Sequence, residues 1–202
     1  MAIDANYGAG TDVSTVVALA SPLLYIIWTQ FGLSSKKPTS IAPIAMSLLD
    51  ILSNKSTLVD LKGHSKDEII EELVDSLEVG AAIADRDKAL EAVLEREKIM
   101  STGIGDGIAI PHGKSDAVSQ LSAALGIHKR GVNFDALDGE PAFVFFLLVS
   151  PANVSGPHIK ALARISRMLK NDSFKRKLIE ADSAEQILGI IEEEEQSHPA
   201  TG

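Results

Sequence analysis

The stretch AFVFFLLVS, residues 142–150, contains eight consecutive apolar residues between Pro141 and Ser150. An apolar run of this length without alternation predicts a strand that is buried on both faces. Patterns with helical spacing occur on both sides of this run along the chain. We therefore predict a single α/β domain, an α/β sandwich in which a mixed sheet has helices on both faces.

Helical patterns flank the predicted central strand. One helix is expected behind the capping sequence SKDE that begins at Ser65, and a second is expected to start near Asp85. After the central strand, Pro157 is expected in the first turn of a further helix, where a missing N–H group costs little. The spacing of that helix predicts an inner stripe of Ile159, Leu162, Ile165 and Leu169.

Charge and cysteine content exclude several functional classes. The 202 residues carry a formal net charge of −9 and show no basic cluster. Because contacts to phosphate backbones need lysine and arginine on one face, a nucleic-acid partner is not expected. The chain has no cysteine, which excludes thiol nucleophiles, disulfides and thiolate metal sites.

The N-terminal segment differs from the rest of the chain. Residues 13–35 contain no charged residue, and their length approaches what a membrane helix needs. Lys36 and Lys37 follow directly, which would place the remaining chain in the cytoplasm. Pro22 and Gln30 dilute the apolarity, so a helix that packs on the body is an equal alternative. We predict an extension over 1–45, a domain over 46–195 and a tail over 196–202.

The glycine-rich stretch STGIGDGIAIPHGKSD, residues 101–116, raises the question of a phosphate or metal site. A dinucleotide loop must follow a strand and open a helix, whereas these glycines precede the short apolar run. The chain has no phosphate-loop lysine motif, and its five histidines show no pair at metal-ligand spacing. What remains is His112 at the end of a short strand, as a nucleophile, a general base or a capped loop residue.

A second histidine, His158, directly follows Pro157. The free N–H groups and the positive dipole end of a first helical turn stabilise an anion there. A neutral His158 could therefore donate a hydrogen bond to phosphate oxygens that this helix end holds. A solvent-facing polar residue is the alternative.

The stretch REKIMSTGIGDGIAIPHG, residues 96–113, resembles the active-site signature of enzyme IIA proteins of the bacterial phosphoenolpyruvate-dependent phosphotransferase system. The resemblance is to the fructose/mannitol class, which includes nitrogen-regulatory members, and it covers roughly residues 46–193. It implies a phosphotransferase component with a phosphohistidine intermediate, no cofactor and no metal.

The same resemblance implies roles for individual residues. His112 would accept a phosphoryl group on Nε2 from phospho-HPr, while His158 would steady that group and Arg96 would bind it. Ser101 and Thr102 would add hydroxyl donors, with a turn or cap role as an equal alternative. Gly113 and its neighbouring glycines would keep an open pocket around His112. Two further histidines, His64 and His128, match no functional position and are expected at the surface.

Two functions follow from the resemblance. In the first, the chain passes phosphate to a IIB domain for sugar uptake. In the second, it is a regulatory module whose phosphorylation state a protein partner recognises without sugar transfer. The expected location is cytoplasmic, with a tether to the inner face of the membrane through residues 13–35 as the alternative, and a homodimer stays open.

Overall fold

The computed structural model describes residues 46–80 and 82–197. Among these residues, no helix combines the length and the apolarity that crossing a membrane requires. The apolar segment 13–35 lies outside the described residues. Both interpretations of that segment, and the three domain boundaries, stay predictions.

Six strands form one mixed sheet with β6 near its centre. The strands are β1 (Thr57–Leu58), β2 (Gly103–Gly105), β3 (Ile108–Ala109), β4 (His112–Lys114), β5 (Ser122–Val132) and β6 (Ala142–Ser150). Their order is β1-β5-β6-β3-β2, and β4 also pairs with β6. Because β6 runs antiparallel to β5 but parallel to β3 and β4, the predicted mixed sheet is confirmed.

Helices cover both faces of this sheet, as predicted. They are α1 (Lys66–Val79), α2 (Arg86–Ile99), α3 (Gly156–Leu169), α4 (Asp172–Glu180) and α5 (Ala184–Ser197). From Val144 to Val149, residues at even positions of β6, such as Phe146, belong to one core with α3, α4 and α5. Residues at odd positions, such as Phe145, belong to a second core with α1 and α2. Burying such a side chain stabilises the fold by about 1.5–3 kcal/mol, so the central apolar run fixes the layered architecture.

The hairpin of β2 and β3 uses the glycines that were expected around His112. Asp106 and Gly107 form its turn, with φ of 54° and 77°, and Gly105 has φ of 92°. Glycine tolerates these positive φ values, which other residues rarely adopt. Gly107 lies beside Phe143 at the start of β6, whereas His112 pairs with Leu148 near its end. These glycines therefore shape a turn away from His112, and the expected pocket role is wrong for them.

Of the two histidines predicted at the surface, one is exposed and one is buried, and one residue predicted to be buried is exposed. His64 is exposed, as predicted. His128 is only 4% exposed, because the chain at Leu61, whose amide donates to the Ile127 carbonyl, covers this part of β5. Ile159 was expected inside but is 64% exposed. The buried stripe of α3 starts one residue earlier and comprises His158, Ala161, Ile165, Met168 and Leu169.

Candidate active site

His112 opens β4 on the edge of β6 that also carries β3. Its backbone pairs with Leu148, while Pro111, which has no N–H group, separates the two short strands. The Pro111 carbonyl still accepts a hydrogen bond from the Leu148 amide at 3.0 Å. The chain therefore pairs with β6 again immediately before His112. This pairing fixes the backbone of His112, while the ring stays partly exposed.

The His112 ring is oriented by a backbone carbonyl. Its Nδ1 lies 2.8 Å from the carbonyl oxygen of Ile110. Since a carbonyl only accepts, Nδ1 carries the hydrogen and the neutral ring keeps a lone pair on Nε2. Burial lowers the pKa of His112 and the charge of Arg96 adds to this, although the bond to Ile110 opposes both. The resulting neutral imidazole is a nucleophile at Nε2.

His158 lies beside this ring. The centroids of the two imidazoles are 5.6 Å apart and their planes are inclined by 57°. His158 is 5% exposed, and its Nδ1 lies 2.8 Å from the hydroxyl oxygen of Ser150. Burial lowers the pKa of His158 to about 4, with smaller contributions from His112 and Lys114. Near pH 7 both imidazoles are therefore neutral.

The start of α3 offers positive potential at the same place. Its N-cap residue, Ser155, makes no side-chain capping bond. The Ser155 hydroxyl instead accepts a hydrogen bond from Lys114 Nζ at 2.7 Å. The first-turn amides of Gly156 and His158 therefore lack a side-chain cap, and a lysine lies beside them. Uncapped first-turn amides and a nearby cation favour a bound anion.

Arg96, in the last turn of α2, supplies a guanidinium group to this region. One of its nitrogens donates to the Met100 carbonyl at 2.9 Å. In the described part of the chain Arg96 forms no salt bridge, and its charge lowers the pKa of His112. Remaining N–H groups of the guanidinium are thus available to phosphate oxygens.

Gly113 has a packing reason for lacking a side chain. A Cβ atom there would lie 3.0 Å from backbone atoms of Ala92 and Val93. The missing side chain lets the backbone of α2 lie directly against β4. This contact also sets how closely Arg96, on the same helix, approaches His112. The expected role of Gly113 in keeping the site open stays a prediction.

Ser101 and Thr102 direct their hydroxyl groups into the protein. Ser101 donates to the Phe134 carbonyl at 2.7 Å, and Thr102 donates to the buried carboxylate of Glu97. Each hydroxyl has one hydrogen, and both hydrogens are committed. A phosphate-binding role for these two residues therefore finds no support in their contacts and stays a prediction.

Glu97 forms a structural connection that the sequence did not assign. Its carboxylate accepts from the Thr102 amide and lies 3.0 Å from Lys66 Nζ. The Thr102 carbonyl in turn accepts from the Ile110 amide at 3.0 Å. Because the Ile110 carbonyl holds His112, this chain of bonds links α1 and α2 to the His112 ring.

One cavity lies away from this site. It has a volume of about 430 Å³ and is found where β6 begins, between the β2–β3 turn and α4. Its lining includes Asp106, Phe143 and Lys175. The two imidazoles lie where β6 ends, so the cavity takes no part in the arrangement around His112.

The lowered pKa of His158 predicts a pH-dependent stability. An unfolded histidine titrates near 6.5, so between about pH 6.5 and 4 the unfolded chain binds a proton that folded His158 does not. The contribution is complete above pH 6.5 and is lost as pH falls, by about 1.4 kcal/mol per pH unit for one group. Urea denaturation at pH 7, 6 and 5 should therefore show a shallower pH slope in His158→Asn than in the wild type. An unchanged slope in His158→Asn would contradict the assignment of this pH dependence to His158.

Comparison with known proteins identifies relatives of this chain. Residues 50–194 match the family model described as phosphoenolpyruvate-dependent sugar phosphotransferase system, EIIA 2. The chain is 35% identical over 146 residues to the fructose-specific EIIABC component of Bacillus subtilis. This match covers 72% of this chain and 23% of that longer protein. It is 39% identical over 129 residues to the fructose-specific EIIA component of Haloferax volcanii, covering 64% of this chain and 84% of that protein.

Nitrogen regulatory proteins are similar as well. The one from Bradyrhizobium diazoefficiens is 31% identical over 147 residues, covering 72% of this chain and 95% of that protein. The crystal structure of nitrogen regulatory protein IIA-Ntr from Neisseria meningitidis matches with a TM-score of 0.67 and 33% identity, over 72% of this chain and 99% of that one. The crystal structure of IIA mannitol from Escherichia coli, at 23% identity and a TM-score of 0.61, covers 69% of this chain and 98% of that one, and shows the same fold. The resemblance found in the sequence is confirmed.

Proposed function

Since the chain belongs to the EIIA 2 family of the phosphoenolpyruvate-dependent sugar phosphotransferase system, we propose that His112 accepts a phosphoryl group from phospho-HPr on Nε2 and passes it to a IIB domain. The observation that carries this proposal is the bond from His112 Nδ1 to the Ile110 carbonyl. It leaves the Nε2 lone pair free, beside a second neutral imidazole and a guanidinium group.

Transfer to His112 is a displacement at phosphorus. The Nε2 lone pair forms the new N–P bond, and the donor's N–P bond breaks with its electron pair returning to the donor imidazole. No proton has to leave Nε2 first, because the hydrogen of the His112 ring is on Nδ1. While Nδ1 keeps that hydrogen, the phosphorylated ring carries a positive charge that the Ile110 carbonyl stabilises. A positively charged ring is a good leaving group for the second transfer.

Positive groups around His112 suit the phosphoryl oxygens. Phosphoryl transfer depends mainly on positioning and on stabilising negative charge. Arg96 and the uncapped start of α3 supply charge and N–H donors, and Lys114 adds a cation. The nearby carboxylate of Glu97 is already bound to Lys66 and Thr102, so its repulsion of the phosphoryl group is reduced.

The surroundings of the site suit a protein donor and acceptor. Ile99 and Met100 follow Arg96 on the chain and are 81% and 64% exposed, and Ile159 follows His158 and is 64% exposed. Exposed apolar side chains beside a charged centre are typical of protein interaction surfaces. The solved complex of enzyme IIA mannitol with phosphorylated enzyme IIB mannitol from Escherichia coli, which matches at 22% identity and a TM-score of 0.61, is a protein pair of this kind.

A regulatory role is the second candidate. It is supported by the similarity to nitrogen regulatory proteins, one of which matches over nearly its whole length. In that role the same chemistry at His112 would set a state that a protein partner recognises. The proposed location is the cytoplasm. If residues 13–35 span a membrane, the positive charges at residues 36–37 would place the domain on the cytoplasmic side. A homodimer stays a prediction.

Incubation with enzyme I, HPr and phosphoenolpyruvate tests the proposal. We expect one acid-labile phosphate per chain, measured by intact mass before and after acid treatment, and no labelling when HPr is left out. A labelled chain that then phosphorylates a purified IIB domain supports sugar uptake, and transfer to no IIB domain tested favours regulation. Absence of labelling in the complete mixture would overturn the proposed function.

A further inference from the structure

Ser150 is the polar residue that ends the apolar run of β6. It is fully buried, and its carbonyl accepts from the Ser115 amide at 2.9 Å. Within residues 46–80 and 82–197, the hydroxyl of Ser150 forms its hydrogen bond with Nδ1 of His158, at 2.8 Å. A buried hydroxyl at the end of an apolar strand needs such a partner, because leaving it unpaired costs about 1–3 kcal/mol.

The direction of this hydrogen bond follows from counting hydrogens. Ser150 has one hydroxyl hydrogen, and Nδ1 of His158 is the acceptor within reach. If His158 donated instead, the hydroxyl hydrogen would be buried without an acceptor. The favoured arrangement therefore has Ser150 donating to Nδ1, which leaves the ring hydrogen of neutral His158 on Nε2.

The two imidazoles are thus held in opposite tautomers. The Ile110 carbonyl requires a hydrogen on Nδ1 of His112, whereas the Ser150 hydroxyl supplies one to Nδ1 of His158. His112 therefore has a lone pair on Nε2, and His158 has a hydrogen on Nε2. With ring centroids 5.6 Å apart, both rings lie within reach of the same phosphoryl group.

We propose that Ser150 is a positioning residue that holds His158 in the Nε2–H tautomer, so that His158 donates a hydrogen bond to the phosphoryl group on His112. The inference rests on the proposed function of His112. In the other tautomer, His158 would present a lone pair to negatively charged oxygens and would repel them. The low pKa of His158 supports the proposal, because an uncharged ring can donate from Nε2 only in the correct tautomer.

The first test measures the tautomers directly in the unphosphorylated wild-type protein. Two-bond ¹H–¹⁵N correlation spectra near pH 7 distinguish protonated from unprotonated ring nitrogens. His158→Asn and His112→Asn assign the signals. We expect His158 to be protonated on Nε2 and His112 on Nδ1. A hydrogen on Nδ1 of His158 would overturn the proposal, and this measurement does not depend on any phosphoryl transfer.

The second test removes the hydroxyl with Ser150→Ala. We expect the Nε2–H form of His158 to become a minor form and the phosphorylation rate to fall with it, by about 10-fold, because only that form donates to the phosphoryl group. Ser122→Ala is the matched control, because Ser122 is 3% exposed, lies opposite Val149 of β6 and has its hydroxyl near the carbonyl oxygens of Ala82 and Gln120. This control should keep the wild-type rate and tautomers.

The outcomes of the two tests separate this inference from the proposed function. A rate for Ser150→Ala within twofold of Ser122→Ala, or an unchanged His158 tautomer, would overturn the role of Ser150. If the wild type takes up no phosphate, the proposed function fails, and the tautomer measurement still decides whether Ser150 orders His158. If Ser150→Ala does not fold, the wild-type spectra decide alone.

Discussion

Replacing His112 by alanine is expected to abolish phosphate uptake from phospho-HPr. The variant lacks the Nε2 lone pair that forms the N–P bond. Among the described residues, no other imidazole occupies the position of the His112 ring. We expect the rate to fall by at least about 10³-fold. The measurement is the time course of acid-labile phosphate per chain at equal enzyme I and HPr. Far-ultraviolet circular dichroism should show an intact fold, because the ring is partly exposed and its packing contribution is small.

An exposed histidine serves as the control for this result. His64 lies outside the site and is exposed, so His64→Ala should be labelled at the wild-type rate. If His112→Ala retained acid-labile phosphate at the wild-type rate, the nucleophile would be another residue. The assignment of Nε2 can be checked separately, since phosphorus coupling in ¹⁵N spectra shows which ring nitrogen carries the phosphate.

Replacing Arg96 by alanine is expected to lower the transfer rate by about 10²–10³-fold. The guanidinium is the permanently charged group beside His112 whose donors are not taken up by a carboxylate. Its loss removes charge stabilisation where the oxygens of the transferring group gather. Single-turnover labelling at saturating phospho-HPr measures this effect apart from docking of the donor.

Two variants show whether the effect belongs to the guanidinium. Lys98→Ala removes a cation from the same helical turn at an exposed position and should leave the rate near that of the wild type. Arg96→Lys keeps the charge but loses the forked donors, so we expect an intermediate rate. If Arg96→Ala and Lys98→Ala lower the transfer rate by the same factor, general positive charge on α2 assists the transfer, and Arg96 has no specific role.

The fold was predictable because one stretch leaves few alternatives. Eight apolar residues from 142 to 149 must be covered on both faces, and from Val144 onward alternate residues do belong to separate cores. The stripe of α3 was predicted correctly at Ile165 and Leu169, but its start was placed one residue too late, because Ile159 is apolar and His158 is polar, yet His158 is the buried one. Periodicity counts apolar residues and so misses a buried imidazole whose polar atom is satisfied by Ser150.

The site was predictable only as a set of residue types. The resemblance in the sequence pointed to His112, His158 and Arg96, and the structure brings the two rings side by side. Long-range hydrogen bonds were not readable, since Thr102 bonds to Glu97 and Ser150 bonds to His158 only after the chain folds. A serine that closes an apolar strand was the one signal in the sequence for the second of these bonds.

Both imidazoles take their positions from β6. Leu148 pairs with the backbone of His112, and Ser150, two residues further along, holds the ring of His158. Because a strand rises about 3.3 Å per residue, the distance from Leu148 to Ser150 along β6 is similar to the distance between the two ring centroids. The acceptor is therefore assembled before any donor arrives and needs little reorganisation during transfer. On the proposed function, we therefore expect encounter with the partner protein, and not closure of a loop, to limit the rate.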